Sequence, residues 1–221
     1  MMFKRHYLVF IFLFSAWKPL FSQDFSTLWQ GHFSYNTIVD ITKSDTKLYA
    51  AAENALFSYD FINEEMETIT AVDGLSGDFI STIEYSNEYQ LLLIGYTSGL
   101  IEIYFENDRS LLSVVDILEK VTIDPALKRI NDFYEHEGLV YISTDYGISV
   151  YDLQRIEFGD SYFIGPGGSQ IPIEKTTVYN GFIYAACNLN NGIKKAATTN
   201  DNLIDFNQWQ TITLGSFAYS P

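Results

Sequence analysis

The sequence predicts an all-β fold, a β-propeller, on three observations. First, one short pattern occurs four times: a strand, a tight turn, a second strand, then a small residue opening a third. Second, the small residues Ala55, Gly99, Gly147 and Gly192 are spaced by 44, 48 and 45 positions. A period in that range, with several short strands per unit, marks the blades of a propeller. Third, hairpin turn chemistry falls between the strands. Asn180-Gly181 joins the first two strands of the fourth unit, and Glu137-Gly138 takes the matching place in the third. Asn-Gly is a strong two-residue hairpin signal because both residues tolerate positive φ.

The elements follow in order, as four antiparallel strands A to D per blade. In the first unit they are 37–41, 48–52, 56–60 and 67–70. In the second they are 80–85, 91–96, 100–104 and 112–115. The third has 130–134, 139–144 and 148–152, with D near 162–164. The fourth has 176–179, 182–186, a weak 193–196, and 209–213. Tyr85, Tyr134 and Tyr179 are expected to close strand A at one recurring place. Tyr59 and Tyr151 stand four residues past the small residue in strand C, with Ile103 at that place in the second unit. Aromatic and β-branched residues suit a pleated surface buried between blades. The tyrosines are therefore read as packing and not as a sugar-stacking platform, since a ligand rarely repeats with the fold. The fourth unit departs: Lys194 and Lys195 replace mostly apolar or small residues, Ala196 replaces the tyrosine, and the polar stretch 198–207 reads as a long loop.

Residues 1–22 read as a secretory signal peptide. Lys4 and Arg5 precede an apolar run of eleven residues, 7–17, and Ser22 suits the cleavage point. The run is too short for a bilayer, which needs about 20 residues. No cysteine follows it to carry a lipid anchor. Residues 23–221 then form the propeller, a little over four blades at about 46 residues each. The segment 27–31, Thr27-Leu28-Trp29-Gln30-Gly31, looks like Gln208-Trp209-Gln210-Thr211, a D strand. It is expected to pair with a missing last blade, and residues 217–221 break off as a fifth A strand would begin. The stretch is therefore read as an incomplete propeller, part of a longer protein.

The formal charge is −15. Cleavage after Ser22 would remove Lys4, Arg5 and Lys18 and no acid, making it −18. Such a surface repels phosphates and anionic headgroups, so no nucleic acid is expected as a partner. Solubility is the plainest use of the charge; basic partners and divalent cations are the alternatives. Cys187 is the single cysteine, which excludes an intramolecular disulfide and leaves it as a packed small hydrophobe.

The search for chemistry assigns no catalytic, cofactor-binding or metal residue. His6, His32 and His136 show no H-x-x-x-H or H-x-H spacing. No G-x-S-x-G elbow occurs; Asp73-Gly74-Leu75-Ser76-Gly77 reads as a loop from one blade to the next. Gly165-Pro166-Gly167-Gly168 lacks the following helix that a phosphate cradle needs, because Pro172 breaks what comes after. Propeller glycosidases need two converging acids. Glu64, Glu65, Asp73, Asp78, Glu106, Asp108 and Asp116 are available, and the sequence alone does not show which of them converge. Glu106-Asn107-Asp108-Arg109 reads as a solvated turn without calcium-loop spacing.

Two resemblances follow from the repeat text. Asp73-Gly74-Leu75-Ser76, Ile80, Ile83 and Leu93-Ile94-Gly95-Tyr96-Thr97-Ser98-Gly99-Leu100 resemble the two-component-regulator propeller repeat. Val140 to Ile148 echoes it. More widely, Trp29 with His32-Phe33-Ser34-Tyr35, the stretch 49–60, 92–104, Val115-Asp116-Ile117 and Lys128 to Asp132 look like the N-terminal propeller of PorZ-type proteins of the type IX secretion system. That resemblance implies a seven-bladed propeller followed by a second propeller and a C-terminal β-domain. It implies an exported, non-enzymatic accessory at the outer membrane surface or in the periplasm, without a cofactor. The implied partners are proteins of the sortase-dependent attachment complex. Anionic lipopolysaccharide would be met through domains missing from this stretch. Two other readings stay open: the oligosaccharide-binding sensor ectodomain of a hybrid two-component histidine kinase, and a secreted propeller glycosidase or lyase.

Overall fold

Each sequence unit folds as one four-stranded antiparallel sheet, with its strands in chain order. The computed structural model describes residues 37–188 and 191–212. The expected signal peptide at 1–22, the strand expected at 27–31 and residues 217–221 lie outside them. Blade 1 comprises β1 (Ile38–Lys43), β2 (Lys47–Ala52), β3 (Leu56–Asp60) and β4 (Met66–Ile69). Blade 2 comprises β5 (Ile80–Ser86), β6 (Leu91–Tyr96), β7 (Ile101–Phe105) and β8 (Ser110–Val114). Blade 3 comprises β9 (Ile130–His136), β10 (Leu139–Thr144), β11 (Gly147–Asp152) and β12 (Glu157–Tyr162). Blade 4 comprises β13 (Ile173–Tyr179), β14 (Phe182–Cys187), β15 (Gly192–Ala197) and β16 (Gln210–Ile212). The inner strands meet in the order β1, β5, β9, β13. This is a run of propeller blades.

Strand alternation builds three cores between the sheets, because successive residues point to opposite faces. Tyr49, Ala51 and Leu56 of blade 1 meet Ile83, Tyr85, Leu92 and Ile94 of blade 2. The other face of blade 2, with Leu91, Leu93, Ile101 and Ile103, meets Phe133, Val140, Ile142 and Tyr151 of blade 3. Tyr141, Ile148, Val150 and Tyr162 of blade 3 then meet Ile173, Ile183, Ala185 and Trp209 of blade 4. This is why β6 is buried along its whole length and reads as one continuous apolar run. Each such side chain contributes roughly 1.5–3 kcal/mol by leaving water, so these cores and not turn propensity join the sheets.

In blade 3 the small residue opening strand C has a steric reason. A Cβ at Gly147 would lie 2.3 Å from the Tyr162 carbonyl oxygen, so no side chain fits where β11 meets β12. The Asn180-Gly181 turn is also as expected, with both residues at positive φ, 49° and 77°.

Three expectations are corrected. The D strand of the third unit lies before 162–164, over Glu157–Tyr162. Ile156, at φ 57°, turns the chain early, and an outer strand with one wet face needs no apolar alternation. The tyrosines closing strand A are not in one register: Tyr85 pairs with Leu92, Tyr134 with Tyr141 and Tyr179 with Phe182. Counted from the bulge residues Thr82, Asp132 and Lys175, they stand three, two and four positions along the strand. Tyr85 therefore stacks on Tyr49 of blade 1 at 5.2 Å, Tyr134 donates to the Val178 carbonyl of blade 4, and Tyr179 is exposed. In strand C the true counterpart of Tyr59 and Tyr151 is Tyr104 and not Ile103, because blade 2 carries one extra residue in its B–C turn.

Candidate functional site

The inner strands carry charges where strands are otherwise apolar, and a repeated irregularity places them. Each A strand skips one residue in its pairing with strand B: between Ile38 and Asp40, Ile80 and Thr82, Ile130 and Asp132, and Ile173 and Lys175. Such bulges re-aim the side chain that follows. Asp40, Thr82, Asp132 and Lys175 thus share one register position, each opposite a small residue of strand B: Ala51, Gly95, Ser143 and Ala186.

These side chains tie one blade to the next. The Asp40 carboxylate accepts from Thr82 Oγ1 at 2.8 Å and from the Ile83 amide at 3.0 Å. Thr42, two residues on, accepts from the Tyr85 amide at 3.2 Å. Blade 3 is joined to blade 4 in the same way. Asp132 accepts from Lys175 Nζ at 2.8 Å, and Asn131 Nδ2 donates to the Ile173 carbonyl at 3.0 Å. Burial pushes the Asp132 carboxyl above its ordinary range even though Lys175 opposes it, while donating to Asp132 holds the Lys175 ammonium above its own. The junction between blades 2 and 3 uses another device. A Cβ at Gly95 would lie 2.7 Å from Ile130 Cγ2 and 3.0 Å from Phe133, so the missing side chain lets β9 close directly on β6.

Glu84 lies on the same inner strand and is half-buried. Its carboxylate accepts one long bond, 3.4 Å, from Thr42 Oγ1. Burial, with the charges of Asp132, Asp40 and Glu135, pushes it up to about 7. What this inner wall does chemically is accept hydrogen bonds and hold blades together. Among the described residues, no three His, Cys, Asp or Glu side chains are grouped to hold a metal.

The residues weighed from sequence are dispersed. Asp73 accepts from the Thr70 amide and hydroxyl within its own loop, Asp108 from Ser110, and Gly165–Gly168 forms a short 3-10 turn. His136 lies 3.9 Å from the Glu137 carboxylate. Cys187 is half-buried, its thiol pushed up to about 11 by burial. Glu106 is more than a solvated turn residue: Lys47 Nζ lies 2.6 Å away and Tyr85 donates its phenol to it. Burial raises its pKa, but those bonds outweigh that and hold it below the usual range. Sequence reasoning passed over Glu102, which is almost fully buried and accepts from the Tyr96 phenol and the Ser76 amide. A charge between Ile101 and Ile103 was the available signal. It pins the Asp73–Ser76 loop onto blade 2.

With this geometry in hand, the comparisons are specific. A family model described as the type IX secretion system PorZ N-terminal β-propeller domain matches residues 48–210. The chain is similar to a solved structure of PorZ, described as an essential bacterial surface component of the type IX secretion system of Porphyromonas gingivalis. The TM-score is 0.67 and the identity 22%, over 80% of this chain and 23% of that one. It is also similar to the extracellular domain of a hybrid two-component system from B. thetaiotaomicron, with TM-score 0.62 and 18% identity over 86% of this chain and 23% of that one. A computationally designed protein, Ika4, follows with TM-score 0.56 and 12% identity over 76% and 95%. At these identities the structural likeness shows the fold alone. The chain spans about a quarter of the PorZ chain it matches. No curated protein matches it.

Proposed function

The chain belongs to the family of PorZ N-terminal β-propeller domains, and on that footing we propose that it is an interaction platform of the type IX secretion system. The family match runs from β2 of blade 1 to the start of β16 of blade 4, and that observation carries the reading. The protein is exported by the signal peptide at 1–22 and works at the outer membrane surface. It has no chemistry of its own there. It assists the sortase that processes cargo and attaches it to anionic lipopolysaccharide, through contacts shared with domains outside this stretch. The acidic surface suits a protein partner with a basic face.

The test is co-purification of the tagged full-length gene product from envelopes, together with cargo retention in a deletion strain. Recovery of secretion components and loss of surface-attached cargo are expected. A protein that captures no secretion component and whose deletion leaves cargo attachment intact sinks the proposal. The similarity to a two-component extracellular domain favours one second reading, a sensor ectodomain. That reading requires a membrane helix and a kinase domain encoded after Pro221.

A further inference from the structure

Among the inner-strand acids, Glu84 is tied across its blade junction by a single long bond. Asp40 is satisfied by Thr82 and the Ile83 amide, and Asp132 by Lys175. Glu84, on the strand between them, has only the long bond from Thr42. β1 and β9, the inner strands on either side of β5, bring like charge to it. From β1 it faces Asp40 and Thr42, and from β9 Asp132 and Glu135. Lys175 of β13 is the nearby cation, but it is committed to Asp132 at 2.8 Å. Lys47, the charged residue of β2, is committed to Glu106 at 2.6 Å. The β6 segment Leu91–Tyr96, paired to β5 within the blade, contains no charged residue. An ionised carboxylate here is half-desolvated and surrounded by like charge, which favours the protonated form.

We propose that Glu84 makes the inner wall proton-sensitive: protonated, it lets β5 sit quietly between β1 and β9, and ionised, it repels Asp40 and Asp132 and loosens β5 from both. The Thr42 hydroxyl links this to the blade 1–2 junction, since the same oxygen that donates to Glu84 accepts from the Tyr85 amide. A group whose folded value lies above its unfolded one stabilises the fold most at low pH. That stability is lost as pH rises from the unfolded value near 4.5 through about 7.

Two measurements on the full chain test this. The first is the carboxyl ¹³C titration of Glu84 in the wild-type protein, assigned through bonds. A midpoint within about one unit of 7 supports the proposal, and an ordinary glutamate midpoint overturns it. The second compares thermal midpoints at pH 5 and pH 8 for the wild type and Glu84→Gln, which keeps the shape and removes the charge. The wild type should lose about 3 °C more than the variant across that interval. Equal losses overturn the proposal. Should Glu84→Gln fail to fold, the wild-type titration decides alone.

Discussion

Tyr59 and Tyr151 occupy one register in strand C of blades 1 and 3, on the face that looks toward the preceding sheet. Tyr151 is 3% exposed because blade 2 lies against it. Tyr59 is 36% exposed, and among the described residues no sheet precedes it. Tyr104 of blade 2, with blade 1 before it, is 8% exposed. The same residue in the same local structure is core or surface according to its neighbour alone. Stability in such a fold is a sum of intrinsic blade terms and interface terms between adjacent blades, so the interfaces are where substitutions should be felt.

The comparison is tested hardest at its buried end. Tyr151→Ala removes a ring packed between blades 2 and 3 and touching Phe158 edge-on at 6.2 Å. A loss of about 3–5 kcal/mol is expected for emptying such a site, read from the urea midpoint with the slope unchanged. A loss under about 1 kcal/mol would mean that the interface does not carry the fold. Gly95→Ala probes the same interface by overfilling it. The added methyl would sit 2.7 Å from Ile130 Cγ2, a clash with a β-branched side chain that has little room to turn. The expected cost is about 1–3 kcal/mol.

The polar junctions should respond less. Asp40→Ala removes two hydrogen bonds and leaves the Ile83 amide without that partner. Asp40 is half-buried, so water recovers part of the loss, and about 1–2 kcal/mol is expected. Lys175→Met breaks an ion pair whose cation is mostly in solvent and should cost under about 1 kcal/mol. Urea titration of both variants ranks the junctions. If Lys175→Met cost as much as Gly95→Ala, the division into apolar and polar junctions would fail.

These contrasts show what sequence could and could not reveal. Repeat spacing, B strands such as Leu91–Tyr96 and the Asn180-Gly181 turn were legible because periodicity and turn chemistry are local. The D strand of blade 3 was not, because Glu157–Ser161 lies on a half-wet outer strand without an apolar pattern. The register of Tyr85, Tyr134 and Tyr179 was lost because it is counted from the bulges at Thr82, Asp132 and Lys175, which only strand pairing shows. Asp40, Glu84, Asp132 and Lys175 were each visible as charges, but no spacing rule links residues some 45 positions apart. A recurring bulge brings three of the four to one register, and only pairing shows it.

The smallest effect is the sharpest test of the opening contrast. Tyr59→Ala removes the same atoms as Tyr151→Ala from the same register, so strand propensity and turn effects nearly cancel between the two. What remains is the neighbour. Tyr59 keeps one edge-on contact, with Phe61 at 5.8 Å, and Phe61 is itself half exposed. Such a pair contributes about 0.5–1 kcal/mol, and that is the expected loss in urea. A loss matching that of Tyr151→Ala would show that a further sheet, such as the last blade expected from the sequence, covers this face of blade 1, and the difference between the two tyrosines would be void. A loss within the expected range would leave burial by the adjacent sheet as the whole difference between the two tyrosines.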